Sequence, residues 1–177
     1  MIIEGFDKSK VVSNLEIRDF INETFDSKLI YNVERIGFVD VYKSQLSNQD
    51  SLDNLFSKGL YIASSYFLNE STGKAEIEIY RQDPFLNCSK EFILFCLAHE
   101  IGHNLYESMS DELKSNWHRI VVTSNRDAFV SARAAANILE DFCECFASYY
   151  LSREKLRACC KKKYEFFKSL LLSLLRH

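Results

Sequence analysis

Proline and glycine are scarce in this sequence, with one proline and five glycines among 177 residues. Because both residue types interrupt regular backbone structure, their scarcity predicts a helix-rich chain with short connections. No apolar run approaches the roughly 20 residues that a membrane-spanning helix needs, so no membrane span is expected. The net charge of −3 lacks the basic excess of general nucleic-acid binding proteins, which argues against a nucleic-acid partner.

The composition is that of a folded chain. Hydrophobic residues make up 47% of the sequence and charged residues 27%, and both are globular values. A chain of this length is one ordinary domain that can bury a core. We therefore predict a single domain spanning residues 1–177, without internal repeats; its oligomeric state is open.

The start of the chain also lacks the pattern of a secretory signal peptide, since MIIEGFD has neither a basic start nor an apolar core. We expect a cytoplasmic protein, with non-classical secretion or delivery into a host left open. The six cysteines are then expected to be reduced thiols. Four of them form the pairs Cys143/Cys145 and Cys159/Cys160, which an internal disulfide bridges only awkwardly. Buried thiols are favoured over a second metal site at either pair.

The first half of the chain predicts a helix followed by a small sheet. Residues 14–30 carry apolar side chains at helical spacing. Residues 33–43, 59–68 and 74–81 are predicted strands, and the turn-rich linker between the last two predicts a hairpin. The sheet is expected to be antiparallel or mixed. Alternation over 74–81 predicts one buried face and one wet face.

The second half predicts four helices, over about 89–108, 111–124, 138–151 and 153–175. The first is apolar on nearly all sides, which indicates a central helix. The last carries an inward stripe of Leu156, Cys160, Phe167, Leu171 and Leu174. Its Lys161–Lys163 run is predicted to be a solvated face. Residues 125–137 favour a helix by their alanines and a loop by their polar clusters.

The predicted apolar helix contains a motif of potential metal ligands. It reads His99-Glu100-Ile101-Gly102-His103, or H-E-x-x-H. Two histidines four residues apart project from one face of a helix, so both imidazoles can bind a single metal ion. The glutamate between them can reach a water on that ion. This is the signature of zinc hydrolases, with the histidines as ligands and the glutamate as general base. We predict one Zn²⁺, held by His99 and His103.

A catalytic zinc needs a third protein ligand and an open position for water. The three-histidine class H-E-x-x-H-x-x-G-x-x-H is excluded, because Tyr106 and Met109 stand where it has glycine and histidine. The remaining histidines, His118 and His177, have no supporting context. A carboxylate from a later helix therefore remains as the third ligand.

Glu140 and Glu144 lie one turn apart on one face of the predicted helix 138–151. One of them can bind zinc while the other hydrogen-bonds the free ring nitrogen of a ligand histidine. Glu140 is our choice for the ligand. Glu144 as ligand, with Glu140 supporting, is the alternative.

These motifs resemble known families. H-E-x-G-H followed by E-x-x-x-[DE] looks like the gluzincins, zinc peptidases whose third ligand is a glutamate. FVSARAAANILEDFCECFASYYL is similar to the C-terminal signature of the anthrax lethal factor and Pro-Pro endopeptidase family, which contains E-x-F-A-E-x-F. The resemblance covers roughly residues 99–150. It implies Glu140 as the third zinc ligand, Glu144 as its supporting carboxylate, and Phe142 and Phe146 as packing residues.

One position departs from that family. Seven residues before the ligand glutamate, the family carries a tyrosine that is thought to stabilise the oxyanion, and this chain has Arg133. A guanidinium can donate to a developing oxyanion. It can also pair with Asp141 or another acid and leave the site without that donor. Tyr106 and Tyr149 are weaker candidates for the same task.

We therefore predict an α+β, zincin-like domain with a small sheet over about residues 33–81 and a helical, metal-binding C-terminal part. The expected activity is zinc-dependent hydrolysis of an extended peptide or protein, with Glu100 taking the proton of the zinc-bound water. Residues 74–81 are a candidate for a strand edge that pairs with this substrate, and an ordinary sheet strand is the equal alternative.

Two other hypotheses stay open. An ImmA/IrrE-like regulatory peptidase, which would act on a repressor, also combines H-E-x-x-H with a later acidic helix. The other hypothesis is a non-catalytic, zinc-stabilised module that binds a peptide or protein. Arg133 keeps this hypothesis open, whereas Glu100 argues against it because a structural site has no use for a general base.

Overall fold

The computed structural model of the chain describes residues 1–39, 63–81, 89–124 and 128–175. The predicted strand residues 40–43 and 59–62, together with Cys88 and His177, lie outside these ranges. The described residues form a mixed α+β chain with a four-stranded sheet and six helices, as predicted for its class. The chain falls into two compact units, Met1–Ile21 with Asn32–Leu97 and Asn22–Tyr31 with Ala98–His177.

The first unit contains the sheet, whose strands are β1 (Ile2–Glu4), β2 (Val33–Val39), β3 (Ser64–Asn69) and β4 (Lys74–Tyr80). Their order is β1-β2-β4-β3; β2 is parallel to β1 and β4, and β3 is antiparallel to β4. The predicted hairpin and the mixed sheet are confirmed. The sheet also includes β1, before the predicted start at residue 33, because three residues are too few to show alternation.

Strand β4 is an interior strand, since it pairs with β2 along one side and with β3 along the other. Its backbone N–H and C=O groups are therefore used within the sheet. The hypothesis that residues 74–81 hold substrate by strand pairing is wrong, and the ordinary-strand alternative is correct.

The polar face of β4 is not wet throughout, because Glu78 is fully buried. Arg35 on β2 explains this burial, since its Nη1 donates to the Glu78 carboxylate at 3.0 Å. The same guanidinium also donates to Glu76 at 3.2 Å and to Glu4 at 2.6 Å. Gly37 makes room for it, because a Cβ there would lie 2.7 Å from Nη2 of Arg35. A buried carboxylate is thus paired rather than hydrated.

The six helices are α1 (Asn14–Thr24), α2 (Lys90–Ser108), α3 (Asp111–Val122), α4 (Ile138–Leu151), α5 (Arg153–Cys159) and α6 (Lys161–Leu175). Helices α2, α3 and α4 lie where the sequence predicts them. Helix α1 ends before residue 30, since Asp26 is extended and its side chain accepts the N–H of Lys28 to begin a separate 3-10 turn. Residues 128–137 are irregular, which agrees with the loop alternative for the described part of the segment 125–137, whereas residues 125–127 lie outside the described ranges.

The predicted helix 153–175 is divided at Cys160, whose backbone is extended with φ −151° and ψ 100°. The inward stripe nevertheless continues across the break, because Leu156, Cys160, Phe167 and Leu171 are all buried. The C-terminal segment is therefore two helices that present one apolar face.

Lys163 also lies on that face and is fully buried. Its Nζ donates to Oδ1 of Asp141 and to the carbonyl of Ala128, both at 2.7 Å. The prediction of a solvated lysine face is therefore wrong for Lys163, although Lys161 and Lys162 are exposed. A buried ammonium needs such partners because its hydration is lost.

The second unit packs around an aromatic cluster that joins α3, α4 and α6. The centroid of Phe142 is 5.3 Å from Trp117 and 4.9 Å from Phe167. Phe146 extends the cluster at 5.9 Å from Phe167, and the Trp117 indole donates to the carbonyl of Ile138 at 3.2 Å. Phe142 and Phe146 are fully buried packing residues, and they fix the helix that carries the acidic residues.

Candidate metal centre

The second unit brings His99 and His103 together on one face of α2. Their Nε2 atoms are 3.2 Å apart, and the His99 side chain is only 4% exposed. In a tetrahedral site with metal–nitrogen bonds of roughly 2.0–2.1 Å, two ligand atoms lie about 3.3–3.4 Å apart. The observed separation therefore suits two ligands of one ion. Glu100 is buried beside them, with Oε2 4.0 Å from Nε2 of His103.

Helix α4 brings Glu140 to the same place. The side chain of Asn137 caps this helix and accepts the N–H of Glu140 at 2.8 Å, which puts Glu140 in the first turn. Oε2 of Glu140 is 3.3 Å from Nε2 of His99, and Oε1 is 3.8 Å from Nε2 of His103. Two imidazoles and a carboxylate at these separations could serve as ligands of one metal ion.

Gly102, inside the H-E-x-x-H motif, allows α2 and α4 to approach each other. A Cβ at this position would lie 3.0 Å from Cα of Cys143 and 3.3 Å from Cδ1 of Phe146. A side chain there would have to push the backbone of α4 away. The position of Glu140 relative to the histidines therefore depends on this glycine.

Glu144 faces the other nitrogen of His99. Its Oε1 is 2.9 Å from Nδ1, although the ring N–H direction is poorly aligned for a hydrogen bond. Ser131 fixes the carboxylate by donating to Oε2 at 2.7 Å. Glu140 thus lies beside Nε2 of His99 and Glu144 beside Nδ1, which is the geometry expected if Glu140 is the ligand and Glu144 orients the ring.

Burial is the largest single influence on the pKa values of this group, and the neighbouring side chains outweigh it for His99 and Glu140. Burial favours the neutral form of His99, but Glu140 and Glu144 outweigh burial and raise its pKa to about 9. Burial and the neighbouring His99 lower the pKa of His103 to about 4. Burial would raise the pKa of Glu140, yet His99 and Arg133 lower it to about 2. The Glu140 carboxylate is therefore ionised beside the two imidazoles.

Arg133 lies in the irregular segment 128–137, and its Nε donates to Oε2 of Glu140 at 2.6 Å. This is the same oxygen that faces His99. Pairing of Arg133 with an acid is confirmed, but the acid is Glu140, since Asp141 is bound by Lys163. Burial acts to lower the pKa of Arg133, but the contact with Glu140 outweighs it and raises that pKa.

Cys143 was not predicted to belong to this group, because the sequence raised it only for a second metal site with Cys145. Its Sγ and one ring nitrogen from each of His99 and His103 all lie within 4.8 Å of one another, so these three residues could hold a metal ion. The thiol is fully buried, and burial raises its pKa well above the ordinary value. Cys143 falls three residues after Glu140, which is the spacing that puts both on one helix face.

The other residues considered as oxyanion donors or metal ligands make contacts of other kinds. Tyr106 packs edge-on against Phe142 at 5.1 Å, and Tyr149 lies under the guanidinium of Arg153 at 4.5 Å. His118 is exposed on α3. The cap Asn137 had a sequence signal, because asparagine three residues before a helical acid is typical of a helix start. Ser131 had none, since its contact with Glu144 depends on the path of the loop.

A comparison of the chain with protein-family models, with curated proteins and with solved structures finds no match. Within the described ranges, no helix combines the length and the apolar character needed to cross a membrane. The five described cysteines, Cys96, Cys143, Cys145, Cys159 and Cys160, are free thiols.

Proposed function

We propose that this chain is a zinc-dependent peptidase with a zincin-type, Glu-ligated metal site. The observation that carries the proposal is the mutual approach of His99, His103 and Glu140. The two Nε2 atoms are 3.2 Å apart, Glu140 lies 3.3 Å from His99 and 3.8 Å from His103, and Glu100 is buried beside them. A structural zinc site is normally closed by four protein ligands, whereas three ligands and a nearby carboxylate are typical of hydrolytic sites.

Bound zinc would polarise a scissile carbonyl and lower the pKa of a coordinated water. Glu100 would accept a proton from that water and deliver it to the leaving amine. Glu144 would keep the ring of His99 oriented, and Ser131 would hold Glu144 in place. An extended peptide or protein is the substrate class that this chemistry fits.

We prefer Glu140 to Cys143 as the third ligand. The carboxylate is ionised, and its pKa is lowered to about 2. The thiol is fully buried and would have to lose its proton against the effect of burial, which raises its pKa.

Cys143 also supports a second candidate function, the non-catalytic binding module. If Cys143 joins His99, His103 and Glu140, the four ligands close the site and leave no position for water. Zinc would then stabilise the second unit and hold it in a shape that binds a partner. The two candidates differ in one ligand, so spectroscopy of the metal separates them.

The first experiment measures zinc content and peptide cleavage together. Wild type should bind close to one zinc, His99→Ala and Glu140→Ala should lose it, and Glu100→Gln should keep zinc but lose cleavage of a broad peptide library. Glu107→Gln is the matched control, because Glu107 is an exposed glutamate on the same helix. Full zinc retention in both ligand variants would refute the site, and equal inactivity of wild type and Glu100→Gln would favour the binding module.

The second experiment replaces zinc with Co²⁺. A peptidase site of two histidines and Glu140 should show no thiolate-to-cobalt charge-transfer band in the near ultraviolet. A closed site should show such a band, which Cys143→Ala removes. Cys145→Ala serves as control, since Cys145 is equally buried and directs its thiol to Asp141 at 3.7 Å.

A further inference from the structure

The two edges of the Arg133 guanidinium have different surroundings. Its Nε is committed to Glu140 at 2.6 Å, while its Nη1 and Nη2 groups have no hydrogen-bond partner among the described residues. The side chain is 45% exposed. One edge of the guanidinium is therefore anchored to the candidate metal ligand, and the other edge is presented to solvent.

The hydrogen bond of Nε to Glu140 determines where the Nη groups of Arg133 lie. Oε2 of Glu140 is shared between Nε of Arg133 and Nε2 of His99, at 2.6 Å and 3.3 Å. The Nη groups belong to the same guanidinium, and Arg133 also acts electrostatically on His103, so they lie close to the candidate metal centre. A molecule that binds these Nη groups would lie beside the scissile bond of a peptide in the site.

The charge of Arg133 indicates what such a molecule carries. A guanidinium is a permanent cation whose planar N–H fork matches a carboxylate with two parallel hydrogen bonds. The oxyanion of peptide hydrolysis forms on a carbonyl that is neutral in the bound substrate, and a metal ion already supplies positive charge there. A guanidinium beside such a site can also bind a group that is already negatively charged in the bound substrate, and a carboxylate is the group that its planar fork matches.

We propose that Arg133 recognises a carboxylate of the substrate next to the scissile bond, either the C-terminal carboxylate of a peptide or an acidic side chain. This assignment rests on the proposed peptidase function and names the substrate class of the same site. Its partners in the chain are the acids around it. Glu140 orients the guanidinium directly, and Glu100 and Glu144 contribute to the field that it neutralises.

The test uses the zinc-loaded Glu100→Gln variant of this chain, in which peptides are expected to bind without being cleaved. Three random pentapeptide libraries are compared by ultrafiltration and mass spectrometry: free acids without Asp or Glu, the same sequences as C-terminal amides, and amides with one Asp. The acid-free amides should be retained roughly 10- to 100-fold less than one or both carboxylate libraries, as expected for a charge-assisted bidentate contact.

Adding Arg133→Gln should abolish the preference, and Arg133→Lys should restore only part of it, because a lysine keeps the charge but not the planar fork. Arg153→Gln is the matched control, since Nε of Arg153 likewise donates to an oxygen, the carbonyl of Tyr149 at 3.2 Å. Retention of the free acids alone identifies the C-terminal carboxylate, and retention of the Asp amides identifies a side-chain carboxylate.

Two outcomes overturn the carboxylate assignment alone, and both are distinguishable from failure of the peptidase proposal. Equal retention of the three libraries by a zinc-loaded protein refutes carboxylate recognition and leaves the metal site intact. A uniform loss of cleavage in the single variant Arg133→Gln, with the acid-to-amide ratio unchanged, assigns the guanidinium to the oxyanion instead. Absence of zinc from the wild type refutes both proposals at once.

Discussion

Replacing Lys163 with methionine should destabilise the second unit by about 3–5 kcal/mol, the usual cost of leaving one partner of a buried ion pair alone. Lys163 and Asp141 are both essentially inaccessible, with Nζ and Oδ1 2.7 Å apart. Oδ2 of Asp141 has no hydrogen-bond partner among the described atoms. Methionine keeps the length of the side chain but removes the charge, and the Ala128 carbonyl also loses its donor.

Urea unfolding followed by fluorescence measures this loss. The chain has a single tryptophan, Trp117, and its ring lies 6.0 Å from Nζ of Lys163, so the signal reports on the affected unit. With a urea slope of about 2 kcal/mol per molar, a loss of about 4 kcal/mol moves the midpoint by roughly 2 M. Lys162→Met is the control, because Lys162 is the exposed neighbour. Lys163→Met/Asp141→Asn should recover part of the loss, since no charge is then left buried.

The same variant has a defined pH dependence. Burial raises the pKa of Asp141, and Lys163 opposes that rise. Without Lys163 the folded-state pKa climbs further above the unfolded value of 3.8. The loss of stability is therefore absent below pH 3.8, where Asp141 is protonated in both the folded and the unfolded state. It grows as the pH rises and levels off once the pH exceeds the folded-state pKa. The stability gap between wild type and Lys163→Met should be widest near neutral pH and should narrow toward pH 4. A gap under about 1 kcal/mol, or one independent of pH, would contradict the burial of this pair.

Two further changes test the metal centre. Glu144→Gln should weaken zinc binding about 10- to 100-fold in a chelator competition, because the proposed role of the carboxylate beside Nδ1 is to orient His99. An affinity equal to that of the control Glu154→Gln, an exposed glutamate on α5, would argue against this role. Gly102→Ala should cost about 1–3 kcal/mol, because its Cβ would lie 3.0 Å from Cα of Cys143. It should also reduce the zinc-dependent rise in Tm, and an unchanged rise would show that α4 does not need this close approach.

The local features of this fold were predictable because they depend on residues close together in the chain. The spacing of His99 and His103 put both on one helix face, and the structure places their Nε2 atoms 3.2 Å apart. The hairpin followed from alternation and a turn-rich linker, and the pairing of β3 with β4 agrees with it. The stripe through Leu156, Cys160 and Phe167 followed from helical spacing and survived a break that the spacing does not show.

Tertiary structure decided what each of these residues faces. Spacing put Glu140 and Glu144 on one face of a helix, but only the packing of α4 against α2 placed one beside Nε2 of His99 and the other beside Nδ1. The lysine run was predicted to be solvated because lysine is seldom buried. Lys163 is buried because Asp141 and the Ala128 carbonyl, distant in sequence, meet it inside the unit.

The H-E-x-x-H motif by itself determined which two histidines and which glutamate belong together, because one helical turn is a local property. It could not determine which acid lies beside the histidines, the contact of Arg133 with Glu140, or the approach of Cys143. These contacts join α2, α4 and the loop at 128–137, segments whose meeting depends on packing around Trp117, Phe142 and Phe167. The motif therefore predicted which residue types meet on α2, and the packing of distant segments determined how the other residues of the site are placed around them.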